Sequence, residues 1–167
     1  AMQDALSLLE ARAVFEGAAH FTAVRVAGST DGPIWLDLAD DQWRTVRVDK
    51  TGWKLSSDGA PKFIRPRGLL PLPEPQKGGS IDDLWRFANV APLDRPLVKA
   101  WLVATLNPSG PYPFLAVHGE PGDCKSSTCR FLRSIIDPNT TPLRAAPRET
   151  RDLVITASNS WVCGFDN

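Results

Sequence analysis

The octapeptide Gly119-Glu120-Pro121-Gly122-Asp123-Cys124-Lys125-Ser126 decides which fold we expect for the second half of this 167-residue chain. It follows the apolar run Phe114-Leu115-Ala116-Val117 and precedes a segment whose apolar residues recur at helical spacing. A glycine-containing loop between a strand and a helix turns its N–H groups inward, and the helix N-terminus adds partial positive charge. Gly119, Lys125 and Ser126 have the spacing of the phosphate-binding pattern G-x4-G-K-[ST], with Cys124 in place of the second glycine.

This pattern assigns a role to each residue of the loop. The backbone amides of residues 120–126 would surround a phosphate, Lys125 would neutralise its charge, and Ser126 would hold Mg²⁺. Gly119, Gly122 and Ser127 complete the expected nucleotide-binding set. A positive φ at position 124 would make the Cβ of Cys124 cost on the order of 1 kcal/mol. The alternative is a surface turn between strand and helix, with Lys125 as a solvated charge.

A second segment, Trp161-Val162-Cys163-Gly164-Phe165-Asp166-Asn167, has the pattern of an apolar strand that ends in an acid. In a nucleotide site, Asp166 would hold Mg²⁺ through water. Asn167 stands where many such ATPases have a glutamate that activates water. Lys125, Asp166, Asn167 and Cys124 are therefore the candidate catalytic residues. A core strand with a capping aspartate explains the same pattern equally well.

Outward from these motifs, the chain divides into short elements. In the first half, apolar spacing predicts a helix over residues 2–19, and period-two alternation with turn residues predicts an antiparallel meander over 22–65. Residues 66–79 are rich in proline and glycine and predict a linker or extended arm. Ser80 is the expected N-cap of a helix.

In the second half, we expect helices over 96–106, 126–136 and 148–158, and strands over 113–119, 142–146 and 161–165. The predicted fold class is an α+β N-terminal region with an antiparallel meander, followed by a truncated α/β P-loop unit of order β-α-β-α-β. The predicted units are 1–65, the linker 66–79, and 80–167.

Residues 111–167 resemble the AAA+ type ATP-binding proteins of phages and mobile elements, which are related to primase-helicase ATPases. The residues that carry the resemblance include Pro111-Tyr112-Pro113, Gly119-Glu120, Lys125-Ser126-Ser127, Asp137-Pro138, Pro142-Leu143-Arg144, Arg151-Asp152-Leu153, Trp161 and Asp166-Asn167. The resemblance implies ATP binding with Mg²⁺, and hydrolysis coupled to DNA replication. Cys124 departs from the family, and the sequence stops directly after the second motif, so we expect a fragment or a shortened ATPase.

Two other chemistries use the same residues. Cys124-x5-Arg130 fits the loop of cysteine-dependent phosphatases, in which a thiolate at a helix N-terminus attacks phosphorus; Asp123 and Asp137 are the candidate general acids. Alternatively, His118, Cys124 and Cys163 would bind zinc if a strand brought them together. The predicted enzyme class is thus a hydrolase of phosphate esters or anhydrides. A non-catalytic oligomerising fragment is the third hypothesis.

Composition bounds the partners and the location. Nineteen basic and nineteen acidic residues give a formal net charge of zero, so no global field attracts nucleic acid. Trp35, Trp43 and Trp53 with Arg65, Arg67 and Lys77 would form at most a local single-strand face, and we expect nucleic-acid contact only within a larger assembly. Three cysteines and the lack of an apolar run of membrane length favour a cytoplasmic protein. An exposed sheet edge predicts a homo-oligomer.

Overall fold

The computed structural model describes residues 2–29 and 31–166. Within these residues the chain is α+β, built from short elements. The helices are α1 (Met2–Glu16), a 3-10 helix (Ile81–Arg86), α2 (Arg95–Ala104), α3 (Lys125–Ile136) and α4 (Thr150–Ser158). The strands are β1 (Thr22–Ala23), β2 (Val26–Gly28), β3 (Ile34–Asp37), β4 (Thr45–Asp49), β5 (Gly52–Ser56), β6 (Lys62–Phe63), β7 (Arg144–Ala145) and β8 (Phe165–Asp166).

The predicted meander is confirmed as a four-stranded antiparallel sheet in the order β2-β3-β4-β5. The β4–β5 hairpin pairs Asp49 with Gly52, and Gly52 has a φ of 125°, which favours glycine. Alternation gives this sheet one apolar face, on which Val26, Leu36, Val46 and Leu55 are register neighbours. Strands β1 and β6 form a separate parallel pair beside it.

The proline-rich segment 66–79 contacts both halves of the chain through its backbone. Leu70 N donates to Pro138 O at 3.0 Å, and Leu72 N donates to Leu38 O at 2.8 Å. Leu69 also forms an isolated bridge with Asn139. The arm is therefore held in place by the meander on one side and by the segment after α3 on the other.

The core of the second half lies between α2 and α3. Val98 and Leu102 of α2 pack with Leu132 and Ile136 of α3, and all four are buried. Leu132 and Ile136 are spaced by four residues, so they project from the same side of α3. This packing confirms the helices that the apolar spacing predicts and fixes α3 as the rigid support of the loop before it.

The strand predicted over residues 113–119 is wrong. This segment is not in a strand, and the Phe114 side chain is fully exposed. A parallel strand needs a hydrogen-bonded neighbour, and among the described residues the segment has none. The strand predicted over 161–165 is wrong for residues 161–164, which lie outside any strand, and the strand predicted over 142–146 is limited to two residues. The expected open sheet is accordingly reduced to β7 and β8, a parallel pair that joins Arg144 to Phe165 and Ala145 to Asp166.

Helix α1 confirms the helix predicted at the start of the chain, but none of its residues is buried. Leu6 and Leu9, which we expected on its packed face, are both exposed. None of the helices in the described part of the chain has the length and apolarity that crossing a membrane would require.

Candidate functional site

The loop before α3 is a tight turn whose shape follows from Pro121 and Gly122. Asp123 N donates to Glu120 O at 3.2 Å, which closes a four-residue turn over residues 120–123. Gly122 has a φ of 96°. Proline at the second position and a positive-φ glycine at the third are the signature of a type II turn. The sequence Glu-Pro-Gly-Asp thus specifies the bend locally.

Asp123 fastens this turn to the end of the preceding segment. Its Oδ2 accepts the Glu120 N–H at 2.6 Å, Asp123 N donates to Glu120 O, and Pro121 has no N–H. The prediction that the amides of residues 120–126 together surround a phosphate is therefore wrong for these three residues, because two amides are bonded within the turn and the third position has none. A Cβ built on Gly119 would lie 2.5 Å from the same Oδ2, and 3.3 Å from the Asp123 Cβ. Gly119 is therefore required because the Asp123 side chain occupies the space in which a larger residue would sit.

The side chain of Lys125 is folded back over the start of the loop. Its Nζ donates to Gly119 O at 3.0 Å and to Glu120 O at 2.6 Å. A lysine ammonium has three N–H donors, so these two bonds leave one donor for a further acceptor. The cation predicted to meet a phosphate is thus held at the loop by two carbonyl groups.

Cys124 is the N-cap of α3 and has left-handed backbone angles, φ 57° and ψ 29°. With this positive φ, a β-carbon is strained here by about 1 kcal/mol relative to glycine. The Cys124 thiol donates to Gly122 O at 3.6 Å, and no side chain caps the helix. The first helical bond runs from Thr128 N to Cys124 O, so the amides of residues 124–127 have no acceptor within the helix.

Asp166 ends β8, in which it pairs with Ala145, and its side chain is exposed. Burial, and after it the negative charge of Asp166, raises the pKa of the Cys129 thiol. Among the described residues, no hydrogen bond or ion pair joins Asp166 to Ser126, so the two residues predicted to organise Mg²⁺ are not held together by a direct contact. Asn167 lies outside the described residues.

The cysteine-phosphatase hypothesis is wrong. Such a loop must wrap residues between the cysteine and the arginine around one phosphate, whereas here residues 125–130 are helical. Six helical residues separate Cys124 from Arg130 by about 9 Å along the axis and turn them to different sides. The two proposed general acids are also engaged elsewhere, since Asp123 fastens the loop and Asp137 is buried in ion pairs.

The zinc hypothesis has no support in the geometry. Within residues 2–29 and 31–166, no group of three His, Cys, Asp or Glu side chains is arranged to hold a metal ion. His118, Cys124 and Cys163 are therefore not brought together. The strand that was expected to carry His118 towards Cys163 is not formed, which is the physical reason.

Part of the single-strand binding face predicted on the meander is engaged in contacts within the chain. Trp35 is only 7% exposed, whereas Trp43 and Trp53 are 56% and 37% exposed. Arg65 is ion-paired with Asp37 at 2.6 Å, and its guanidinium lies 3.7 Å from the centre of the Trp43 ring. Contact of this face with nucleic acid stays a prediction.

Asp137 forms an ion pair with Arg25 that the sequence does not indicate. Both side chains are completely buried, and Arg25 Nε lies 3.2 Å from Asp137 Oδ1. The other carboxylate oxygen of Asp137 accepts the backbone N–H groups of Trp161 and Val162 at 3.0 and 3.1 Å. An Asp-Pro step directly after a helix was the local signal, but it does not reveal the distant partners.

The described chain thus defines an α+β protein whose candidate site is a glycine-containing loop at the start of a buried helix. The family model of the actinomycete integrative conjugative element replication protein matches residues 81–167, which is just over half of the chain. The chain therefore belongs to that family, and it is a replication-type protein of a mobile element. Comparisons with curated proteins and with solved structures gave no match.

Proposed function

We propose that this replication protein binds a nucleoside triphosphate with Mg²⁺ through residues 119–127, the P-loop of an AAA+-like unit. The observation that carries the proposal is the position of Lys125, whose Nζ is held by Gly119 O and Glu120 O and keeps one donor free. A phosphate oxygen is the acceptor that best matches this donor, because a charge-assisted bond is stronger than a neutral one.

The start of α3 supplies the second part of the cradle. The amides of residues 124–127 have no helical acceptor and point out of the helix end, where the helix dipole favours an anion. The left-handed Cys124 turns the chain from the loop into the helix. A phosphate held by these amides and by Lys125 would be bound largely by the backbone, so the site would tolerate the substitution of glycine by Cys124.

Ser126 and Asp166 have the chemistry that a magnesium ion requires. A serine hydroxyl and a carboxylate are oxygen ligands, which Mg²⁺ prefers. When bound, the ion would neutralise the charge of the outer phosphates. Ser126 would bind it directly and Asp166 would orient its water shell.

The rate at which the bound nucleotide is hydrolysed is a separate question from binding. Asn167 takes the place of the glutamate expected from the resemblance, and a neutral amide is no base for the attacking water. We therefore propose that the chain binds nucleotide tightly and turns it over slowly. The proposed site is therefore tested by measuring nucleotide affinity and not the rate of hydrolysis.

The test compares two lysine variants for binding of ATP that carries a methylanthraniloyl fluorophore. Lys125→Ala removes the loop cation, and we expect affinity to fall about 10- to 100-fold, as for the loss of a charge-assisted hydrogen bond. Lys77→Ala removes an exposed lysine of the arm and should bind as the wild type does. Equal affinity of the wild-type and Lys125→Ala proteins would reject the P-loop.

A further inference from the structure

Asp137 joins three parts of the chain at one carboxylate. It is the C-cap of α3, and its own N–H donates to Arg133 O at 2.8 Å. Its Oδ2 accepts the N–H groups of Trp161 and Val162, at the start of the segment that leads to β8. Its Oδ1 meets Arg25 of the meander. The end of α3 and the start of the β8 segment are thus fixed to each other through one side chain.

Arg25 uses its entire guanidinium to hold this carboxylate against the meander. Besides the bond of Nε to Asp137, Nη1 donates to Asp37 O at 3.0 Å and Nη2 donates to Leu70 O at 2.8 Å. Asp37 in turn pairs with Arg65 at 2.6 Å. The strands of the meander and the proline-rich arm are therefore both tied to the carboxylate that holds Trp161 and Val162.

A buried network of charges contributes little net stability to a folded protein. Desolvation of two buried charges can exceed their mutual attraction, and apolar residues of similar volume often stabilise a protein as well. The network does fix the relative positions of the segments that it joins, because each hydrogen bond of Arg25 and Asp137 has one defined partner. The geometry it fixes is the spacing between α3 and the segment that carries Asp166.

The spacing between α3 and the segment that leads to β8 affects the proposed metal side of the site, which includes Asp166. Asp166 follows Val162 by four residues and pairs with Ala145 in the β7–β8 ladder, so a shift at Val162 is passed on along this segment to Asp166. The loop and Lys125 are instead held by contacts within residues 119–128, together with a bond from Asn89 Nδ2 to Asp123 O at 3.4 Å, and none of these contacts involves Asp137 or Arg25. A change at Asp137 should therefore affect the metal side of the site and spare the phosphate side.

We propose that Arg25 and Asp137 are positioning residues of the metal–nucleotide site, and that the N-terminal meander sets the place of Asp166 through them. This inference rests on the proposed function. The meander would thereby influence the nucleotide site, although Arg25 and Asp137 are 112 positions apart in the sequence. Because the two residues would act on the site through Asp166 alone, their effect on nucleotide affinity is expected only in the presence of Mg²⁺.

The experiment measures the affinity for the fluorescent ATP with Mg²⁺ and with chelator, in full-length wild type, Asp137→Asn and Arg25→Met. Asparagine keeps an oxygen for the Trp161 and Val162 amides but turns a donor group towards Arg25. In the wild type we expect Mg²⁺ to raise affinity at least about 10-fold, and in both variants this gain should largely vanish, as for other outer-shell partners of a metal. Affinity in chelator should stay unchanged.

Three controls make the result decisive. Arg47→Met removes another arginine of the meander, which pairs with Asp49 outside this network, and should keep the full magnesium response. Arg25→Lys retains the charge but loses the fork, so it carries the test if Arg25→Met does not fold. Hydrogen exchange should become faster at residues 161–166 of the Asp137→Asn protein and stay unchanged at residues 124–128.

The outcomes separate the two proposals. Wild-type protein that binds no nucleotide overturns the proposed function, and this inference with it. Wild-type protein whose magnesium response persists in folded Asp137→Asn and Arg25→Lys overturns this inference alone. Loss of affinity in chelator as well as with Mg²⁺ would show a general structural role and would equally reject positioning.

Discussion

Arg25 and Asp137 lie 112 positions apart in the sequence, yet they form an ion pair in which neither side chain has any exposed surface. The pair stands where the meander, the proline-rich arm and the end of α3 meet. Because each group is also hydrogen-bonded to backbone atoms, the pair is fully satisfied. Desolvation outweighs the attraction of the neighbouring carboxylates and lowers the pKa of the Arg25 guanidinium.

The first prediction concerns the stability of this pair. Arg25→Met leaves Asp137 as a buried carboxylate with only Arg133 as its cationic partner, and the free energy of unfolding should fall by about 3–5 kcal/mol. Asp137→Asn should cost a similar amount because it leaves Arg25 without its carboxylate. The double variant should lose clearly less than the sum of the two, since neither charge is then unpaired. Urea denaturation of all four proteins measures this coupling.

Additive losses would contradict this account. They would mean that Arg25 and Asp137 act on stability through separate partners. The matched control is Arg47→Met combined with Asp137→Asn. Since Arg47 pairs with Asp49 and does not contact Asp137, this double variant should show additive losses.

Local sequence signals predicted α3 and the β4–β5 hairpin. Leu132 and Ile136, spaced by one helical turn, indicated α3, and the Thr51-Gly52 turn between alternating segments indicated the hairpin. In both cases the residues that specify the element lie within it. The Pro121-Gly122 bend was not predicted, although residues of the loop itself specify it.

Features that depend on distant partners were not predicted. An apolar run such as Phe114-Leu115-Ala116-Val117 indicates a tendency to be buried, but a strand also needs a neighbour, and the run does not specify one. Arg65 was expected on a binding face, yet it pairs with Asp37 and stacks on Trp43. A charged residue in the sequence does not show whether its partner is solvent, ligand or another part of the chain.

The second prediction concerns Gly119. Gly119→Ala would place a Cβ 2.5 Å from Asp123 Oδ2, so the bond of this oxygen to the Glu120 amide must yield. Because the same loop orients Glu120 O towards Lys125, we expect a loss of ATP-analogue affinity of about 10-fold, comparable to the loss of one charge-assisted hydrogen bond. Fluorescence titration measures it.

A matched glycine tests this explanation. Gly79 has open space where a Cβ would be added, so Gly79→Ala should leave binding unchanged. Unaltered affinity in Gly119→Ala would show that the turn tolerates displacement of Asp123. The same loss in both variants would show that affinity does not report on the loop.

The third prediction separates the backbone from the thiol at position 124. Cys124→Gly removes a β-carbon from a left-handed residue and should stabilise the protein by about 1 kcal/mol, with nucleotide affinity retained. Cys124→Ser removes the thiol and keeps the β-carbon, so it should give no such gain. Thermal and urea unfolding of the three proteins measure the difference. A glycine variant no more stable than the serine variant would show that the strain is relieved elsewhere.

The last prediction is a dependence of stability on pH that comes from two half-buried thiols. Burial raises the pKa of both Cys129 and Cys163 in the folded protein, and Asp166 adds to the effect at Cys129. In the unfolded chain the pKa of a cysteine thiol is about 8.5. Below that pH both states keep the proton, and the contribution of the thiols to stability is fully present. As the pH rises through the higher folded pKa, the unfolded state releases protons first, and this contribution is lost.

Urea denaturation under reducing conditions at pH 7.5 and at about pH 9.5, above the unfolded thiol pKa, measures this loss. We expect the wild type to lose more stability between the two values than the Cys129→Ala/Cys163→Ala double variant does. Cys124→Ala removes the exposed thiol and should retain the wild-type pH dependence. Burial also raises the pKa of Tyr112, but this group is common to all three proteins and cancels in the comparison. An equal loss in the wild type and the double variant would contradict the burial of these two thiols.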